Sequence, residues 1–194
     1  KDISNAEITL GEALTYTESE QTRDFTVAPL DGLEIDYTVS GNVETYAGDY
    51  TLTIIGQGNF TGSKSASWSI GKASQSAPGT PAAVNETIKA KADGKIIGVN
   101  FDMEYKLEGA SEYTAISETE IANLAAGTYL VRYKENANHL AGADKRLVIA
   151  DGAMITVTFN SNEGTAVDSK TSEYNQAIAA PVEPTKENFV FAGW

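Results

Sequence analysis

The sequence predicts an all-β protein made of small β-sandwich modules in tandem. The main observation is the alternation of apolar and polar residues in residues 34–42 and 47–55, two runs separated by Gly and Asn. Turn-forming residues, among them 17 glycines, separate further short alternating runs along the chain. With 41% hydrophobic and 21% charged residues, the chain has enough apolar side chains to build packed cores. Together these observations favour several short, half-buried strands.

The first segment, residues 1–73, contains the clearest strands. Tyr50, Leu52 and Ile54 fall on one face of a strand, and the threonines between them fall on the other. Trp68 alternates with serines in a later run, which predicts that its ring anchors the core, since one indole buries about 200 Å². That run covers residues 65–70, and residues 35–39 of the first run show the same alternation.

Four stretches of this first segment carry a family resemblance: residues 8–11, 37–42, 47–53 and 58–62. They resemble the Ig-like repeats of large bacterial surface proteins, of the MBG type. The resemblance implies an Ig-like β-sandwich for residues 1–73 and a place on a bacterial cell surface. It implies an architecture rather than an activity.

A linker and a second module follow. Residues 74–81 are rich in Pro, Ser and Gly and predict a short, semi-rigid connection. In residues 82–151, three strands are predicted at 103–107, 128–133 and 147–149. Residues 118–124 fit a helical turn or an approach to a strand, and their position before Gly127 favours the strand.

The second module also resembles a known family, through residues 103–106, Ile121, Leu124 and residues 127–133. These residues are similar to a fibronectin-III/Ig-like module that recurs in Gram-positive cell-envelope proteins. The resemblance implies a second sandwich. No exact internal repeat relates it to the first module, so the modules are different units in tandem.

The third segment, residues 152–194, begins with Ile155, Val157 and Phe159 alternating with threonines. A set of motifs follows in order: residues 157–162, Gly164, Tyr174, residues 184–186 and residues 189–194. They resemble the Listeria–Bacteroides repeat, the internalin-type B-repeat, which implies a β-grasp-like fold. The repeat would continue past Trp194 with a final strand. We therefore expect a partial repeat, a protein that continues further, and a C-terminal part that is incompletely folded or packed on the second module.

Composition excludes several classes of function. The net charge of −13 leaves no basic stripe for nucleic acid. The absence of cysteine removes disulfides and Cys-ligated zinc. No run approaches the roughly 18 apolar residues that a membrane-spanning helix needs. We expect no cofactor, no nucleic-acid partner, no membrane insertion and a monomer.

Catalytic and metal-binding candidates are weak. Three carboxylate clusters lie at residues 31–36, 18–24 and 118–120, but such clusters arise by chance in an acidic chain, and Glu34 and Asp36 share a solvent-facing strand face. His139 is the one histidine and falls in an inter-strand loop without a partner signal. No calcium-binding loop motif is present. The sequence therefore predicts a protein that is not an enzyme and holds no metal.

Aromatic side chains are the remaining candidates for ligand contact. Trp68 and Trp194 are expected in cores. Tyr46, Tyr113 and Tyr174 lie in predicted loops, where contact residues concentrate, and these three are the predicted ligand-contact residues.

These observations predict a non-catalytic spacer fragment of a secreted or wall-attached bacterial surface protein, with a role in adhesion in view. Rigid sandwiches and short linkers would hold another domain away from the envelope, and acidic surfaces would repel self-association. Two alternatives remain open. One is a module that binds glycan or host protein, and the other is an accessory region of an extracellular glycoside-degrading enzyme.

Overall fold

The computed structural model describes all 194 residues. It contains no helix, and about 42% of the residues lie in strands, against roughly 20–25% in an average globular domain. The predicted all-β class is therefore confirmed. The chain forms two compact units, one of Lys1–Ser76 with Lys134–Gly142, the other of Ala77–Tyr133 with Ala143–Trp194. No helix is long and apolar enough to cross a membrane.

Unit 1, Lys1–Ser76 with Lys134–Gly142, contains the first eight strands. They are β1 (Ile8–Leu10), β2 (Leu14–Thr15), β3 (Gln21–Thr22), β4 (Phe25–Val27), β5 (Tyr37–Ser40), β6 (Val43–Glu44), β7 (Gly48–Gly56) and β8 (Ser63–Gly71). The main sheet has the order β2-β8-β7-β5, in which β2 runs parallel to β8 and the other pairs are antiparallel. Two smaller ladders pair β1 with β4 and β3 with β6.

The core of unit 1 confirms the predicted strand faces. Leu52, Ile54 and Trp68 are buried, and the intervening residues of β7 and β8 are exposed or half-buried. Ile3, near the start of the chain, is fully buried in the same cluster. The predicted strand at 34–42 is shorter than expected, because only Tyr37–Ser40 pairs with β7, at the edge of the sheet.

Unit 2 contains the remaining strands. They are β9 (Ala82–Val84), β10 (Gly94–Ile97), β11 (Met103–Leu107), β12 (Thr114–Ala115), β13 (Glu120–Leu124), β14 (Gly127–Tyr133), β15 (Lys145–Ile149), β16 (Ile155–Val157) and β17 (Lys170–Ser172). One sheet has the order β13-β10-β9 and another β12-β11-β14-β15. Residues 120–124, for which a helical turn was the alternative, form a strand.

The core of unit 2 draws on both of its larger sheets. Ile96 and Ile121 come from the three-stranded sheet, and Met103, Val131 and Ile149 come from the four-stranded one, all in one buried cluster. The two sheets therefore share one core, which is compatible with the predicted sandwich. The Ig-like arrangement of the strands stays a prediction.

Residues 152–194 form a small part of unit 2 with little buried apolar surface. β16 and β17 make a two-stranded antiparallel ladder, and the predicted alternation holds at Ile155 and Val157. Ser172 is the only buried residue among residues 152–194. The prediction that Trp194 lies in a core is wrong, because its side chain is 48% exposed. Its ring packs against the rings of Phe159 and Phe191, at 5.0 and 5.1 Å between centroids.

Candidate functional site

Tyr113 lies in the loop before β12 and is the most constrained of the three predicted contact residues. Its hydroxyl donates to Asp144 Oδ1 at 2.6 Å. The Arg132 guanidinium lies 3.7 Å from the ring centroid and Lys106 Nζ lies 4.5 Å from it. Cations at these distances are attracted to the ring. The ring is therefore already engaged by two cations and is poorly placed to stack on a ligand.

Strand register explains how this cluster forms. Glu104 on β11 pairs directly with Arg132 on β14, so both side chains fall on the same face of the sheet. Arg132 Nε donates to Glu104 Oε1 at 2.7 Å, and both side chains are mostly shielded from solvent. The ion pair holds the guanidinium over the Tyr113 ring.

The chemistry of Tyr113 is that of a neutral hydrogen-bond donor. Burial, and then the hydrogen bond to the Asp144 carboxylate, raises the pKa of Tyr113 to about 12. A nucleophilic or general-base role would need a pKa lowered towards neutrality. The cluster therefore supports the loop and supplies no reactive group.

Tyr46, in contrast to Tyr113, has a ring that is open to solvent. It lies between β6 and β7 of unit 1, and its side chain is 61% exposed. Its carbonyl accepts the hydroxyl hydrogen of Tyr50 at 2.7 Å, which fixes the backbone and leaves the Tyr46 ring open to solvent. Burial, followed by the charge of Glu44, raises the pKa of the Tyr50 phenol. Tyr46 thus offers an aromatic ring on a fixed loop.

Tyr174 follows β17 in a turn of unit 2. Its amide donates to the Lys89 carbonyl at 3.0 Å, and its half-exposed ring has Lys91 Nζ at 6.0 Å from the centroid. Tyr113 and Tyr174 have different neighbours, and Tyr46 belongs to the other unit. The structure therefore shows three separate surroundings for the three tyrosines, and their role in binding stays a prediction.

The sequence reasoning missed a groove in the third segment. A cavity of about 260 Å³ is bounded by amide side chains and aromatic rings, among them Asn160, Asn162, Phe189 and Trp194. Lys186 also lines it, with Nζ 2.9 Å from Glu163 Oε2 and 4.9 Å from the Phe189 centroid. The closely spaced aromatics at 189, 191 and 194 were visible in the sequence, but they were interpreted only as part of the repeat motif, with Trp194 expected in a core.

The carboxylates of the three predicted clusters are all exposed. Glu34 and Asp36 are exposed, as the alternation predicts. Glu120 forms an ion pair with Lys95 at 2.8 Å. No group of three or more His, Asp or Glu side chains is arranged to hold a metal ion. Glu118 and Glu120 both line a cavity of about 190 Å³ in unit 2.

His139 lies in the loop between β14 and β15, as predicted, within unit 1. Its ring meets that of Tyr16 edge-on at 5.2 Å. The neighbouring Asn138 Oδ1 accepts the Ala47 amide at 3.1 Å. These contacts give the histidine a packing role in the loop.

A buried carboxylate was also missed. Glu86 accepts backbone N–H groups from Ala90, Ala92 and Ala126 at 3.2, 2.8 and 3.2 Å. Ala90 and Ala92 both have positive φ, a conformation that costs energy for residues other than glycine. The carboxylate therefore holds a strained loop in place. No motif in residues 85–87 signals this role.

The third segment matches a known family. Residues 156–194 match the sequence model of the Listeria-Bacteroides repeat domain, which confirms the resemblance seen in that segment. This repeat is typical of bacterial surface proteins. No curated protein matches the chain. The MBG-type and fibronectin-III-like resemblances of the first two segments stay predictions.

Proposed function

We propose that the chain is a non-catalytic, load-bearing spacer of a secreted or wall-attached bacterial surface protein. The observation that carries the proposal is the Listeria-Bacteroides repeat at residues 156–194, a module typical of such proteins. The all-β architecture is compatible with it, since sheets in tandem modules resist extension.

The topology of unit 1 supports a load-bearing role. β2, near the beginning of the unit, lies parallel to its last strand, β8, with Leu14 opposite Ile70 and Thr15 opposite Gly71. Tyr16 extends this pairing by donating its amide to the Gly71 carbonyl at 2.9 Å. When parallel strands are pulled from opposite ends, the bonds between them lie across the force and are loaded together. They resist more than bonds that open one after another.

Charge supports a monomeric spacer. With 27 acidic against 14 basic side chains, copies of the chain repel one another at close range. Most of the basic side chains already form ion pairs within the chain. Lys72 pairs with Glu135 at 2.7 Å, for example, and Arg146 with Glu108 at 3.1 Å. The surface therefore disfavours self-association at low ionic strength.

A second candidate function is glycan binding, and one observation favours it. The groove in the third segment combines the exposed rings of Phe189 and Trp194 with the amides of Asn160 and Asn162. Aromatic faces stack on the apolar face of a sugar ring, and amides hydrogen-bond its hydroxyls. We prefer the spacer function because the groove lies in a small segment with little buried core.

A binding screen separates the two. The folded chain is tested at physiological salt against arrayed glycans and extracellular-matrix proteins, and the spacer proposal predicts no saturable binding. Specific binding that is lost in Trp194→Ala but kept in Tyr113→Ala would replace the spacer with a glycan-binding function of the groove. Binding lost in Tyr46→Ala or Tyr113→Ala would assign it to the predicted loop tyrosines.

A further inference from the structure

Residues 177–184 form an open stretch of backbone between β17 and the turn at Lys186. No residue from 176 to 185 lies in a strand, bridge or turn. None of the backbone amides of 177–184 donates a hydrogen bond. The carbonyls of Ala179 and Ala180 accept only from Lys170 Nζ, at 2.8 and 3.0 Å. This backbone can move away from the rest of unit 2 without breaking any hydrogen bond of a β-ladder.

The stretch also stands away from its neighbours. The Val182 side chain is 86% exposed. A cavity of about 510 Å³ separates residues 180–183 from residues 165–170. An endopeptidase must bind several residues in an extended form, and exposed segments with small side chains are preferred sites of cleavage. Residues 177–184 meet both requirements as they stand.

The sequence of this stretch suits one class of enzyme. Ala179, Ala180 and Pro181 lead to Val182, and small or apolar side chains fill all four positions. Pro181 and Pro184 bias the residues before them, Ala180 and Glu183, towards extended backbone. A small S1 pocket, as in elastase, accepts short aliphatic side chains and excludes large or charged ones.

We propose that the Val182–Glu183 bond is an endoproteolytic processing site for serine endopeptidases with a small aliphatic S1 pocket. The serine attacks the Val182 carbonyl carbon, the C–N bond breaks, and the Glu183 nitrogen leaves as an amine with the proton supplied by the catalytic histidine. Water then hydrolyses the acyl-enzyme and leaves a carboxylate on Val182. The site depends on the backbone of residues 177–184 and not on the spacer proposal.

Two other parts of the chain serve as internal comparisons. In the linker, Pro78 and Pro81 are fully buried, and Ala77 is followed directly by proline. Val190 is 95% exposed, but the Phe189 amide donates to the Lys186 carbonyl at 3.1 Å and the Phe191 ring packs on Trp194. Both segments are held more firmly than 177–184, so we expect them to be cut later.

The test is limited proteolysis of the native chain with an elastase-type enzyme, followed over time by mass spectrometry in denaturant. The first products expected are residues 1–182 and 183–194. Denaturant is needed because Thr165 and Thr185 are joined by hydrogen bonds of 2.8 and 2.9 Å, which tend to retain the cut piece. A first cut at Val190 or in the linker would overturn the proposal, as would full resistance under conditions in which trypsin cuts the chain.

Variants at Val182 separate recognition from simple exposure. Val182→Asp should slow cleavage at this bond by about 10- to 200-fold, the range over which a hydrophobic pocket discriminates against a poorly fitting side chain. Val182→Ala keeps a short aliphatic side chain and should be cut at a rate close to that of the parent. Both changes lie on an exposed side chain and leave the fold intact. Equal cleavage of the Asp and Ala variants at this bond would contradict the proposal.

Discussion

Trp68 packs its indole against the Tyr50 ring, with 5.1 Å between centroids, and donates its Nε1–H to the Gly41 carbonyl at 2.9 Å. Trp68→Ala should lower the free energy of unfolding of unit 1 by about 3–5 kcal/mol, because it removes a large buried ring and leaves a cavity. Urea denaturation followed by circular dichroism measures this loss.

Trp68→Phe is the matched control for that change. Gly41 is exposed, so water can donate to its carbonyl once the indole N–H is lost. Trp68→Phe should therefore lower the free energy of unfolding clearly less than Trp68→Ala does. An Ala variant as stable as the parent would mean that the core of unit 1 does not depend on this ring.

Asp93 makes the stability of unit 2 depend on pH in the acid range. Its carboxylate accepts the Thr87 hydroxyl at 2.5 Å and the Thr87 amide at 2.9 Å, and Lys91 Nζ lies 3.0 Å away. The Thr87 hydroxyl, and then the Thr87 amide, lowers the pKa of Asp93 to about 2. An aspartate in the unfolded chain has a pKa of about 3.9. The ionised Asp93 carboxylate therefore stabilises the folded state above that pH, and this contribution is lost as the pH falls towards 2.

Asp93→Asn should remove this part of the acid response. The variant keeps the side-chain oxygen but not the charge, so it should be less stable than the parent at neutral pH and approach it as the pH falls from about 4 to about 2. Thermal unfolding measured across this range checks the prediction. A difference between the two proteins that stays constant with pH would contradict it.

At the scale of elements, the pairing of β2 with β8 is short, so it depends on few bonds. Tyr16→Pro removes the amide that donates to Gly71 and should lower the force at which unit 1 unfolds, because one of the bonds loaded in shear is lost. Single-molecule pulling from the two ends of the chain measures this force.

Tyr16→Ala is its control, since it also removes the ring that meets His139 but keeps the backbone donor. We expect its unfolding force to lie closer to that of the parent than to that of Tyr16→Pro. Equal forces for the two variants would show that the ring, and not the strand pairing, resists the load.

The elements also show what local pattern can predict. The alternation at Tyr50, Leu52 and Ile54 marks a strand buried on one face, and the structure places it in the centre of a sheet. The same alternation at residues 34–36 does not produce a strand, because ladder formation there needs a partner at the sheet edge that no local signal specifies.

At the scale of the molecule, the all-β class and the repeat at 156–194 follow from the sequence, since periodicity and motif order are local properties. The Tyr113 cluster and the Glu86 carboxylate could not be predicted. Tyr113, Arg132 and Asp144 are far apart in sequence and meet only through strand register and loop placement. Trp194 was misplaced because an aromatic motif indicates packing without showing how many neighbours surround the ring.

Pulling the parent chain from its two ends in a single-molecule instrument tests whether it is a load-bearing spacer. A load-bearing spacer should show abrupt unfolding events at forces above those of an α-helical bundle pulled in the same way, because strands paired in parallel load their hydrogen bonds together. Gradual extension without a resolved unfolding event would contradict it.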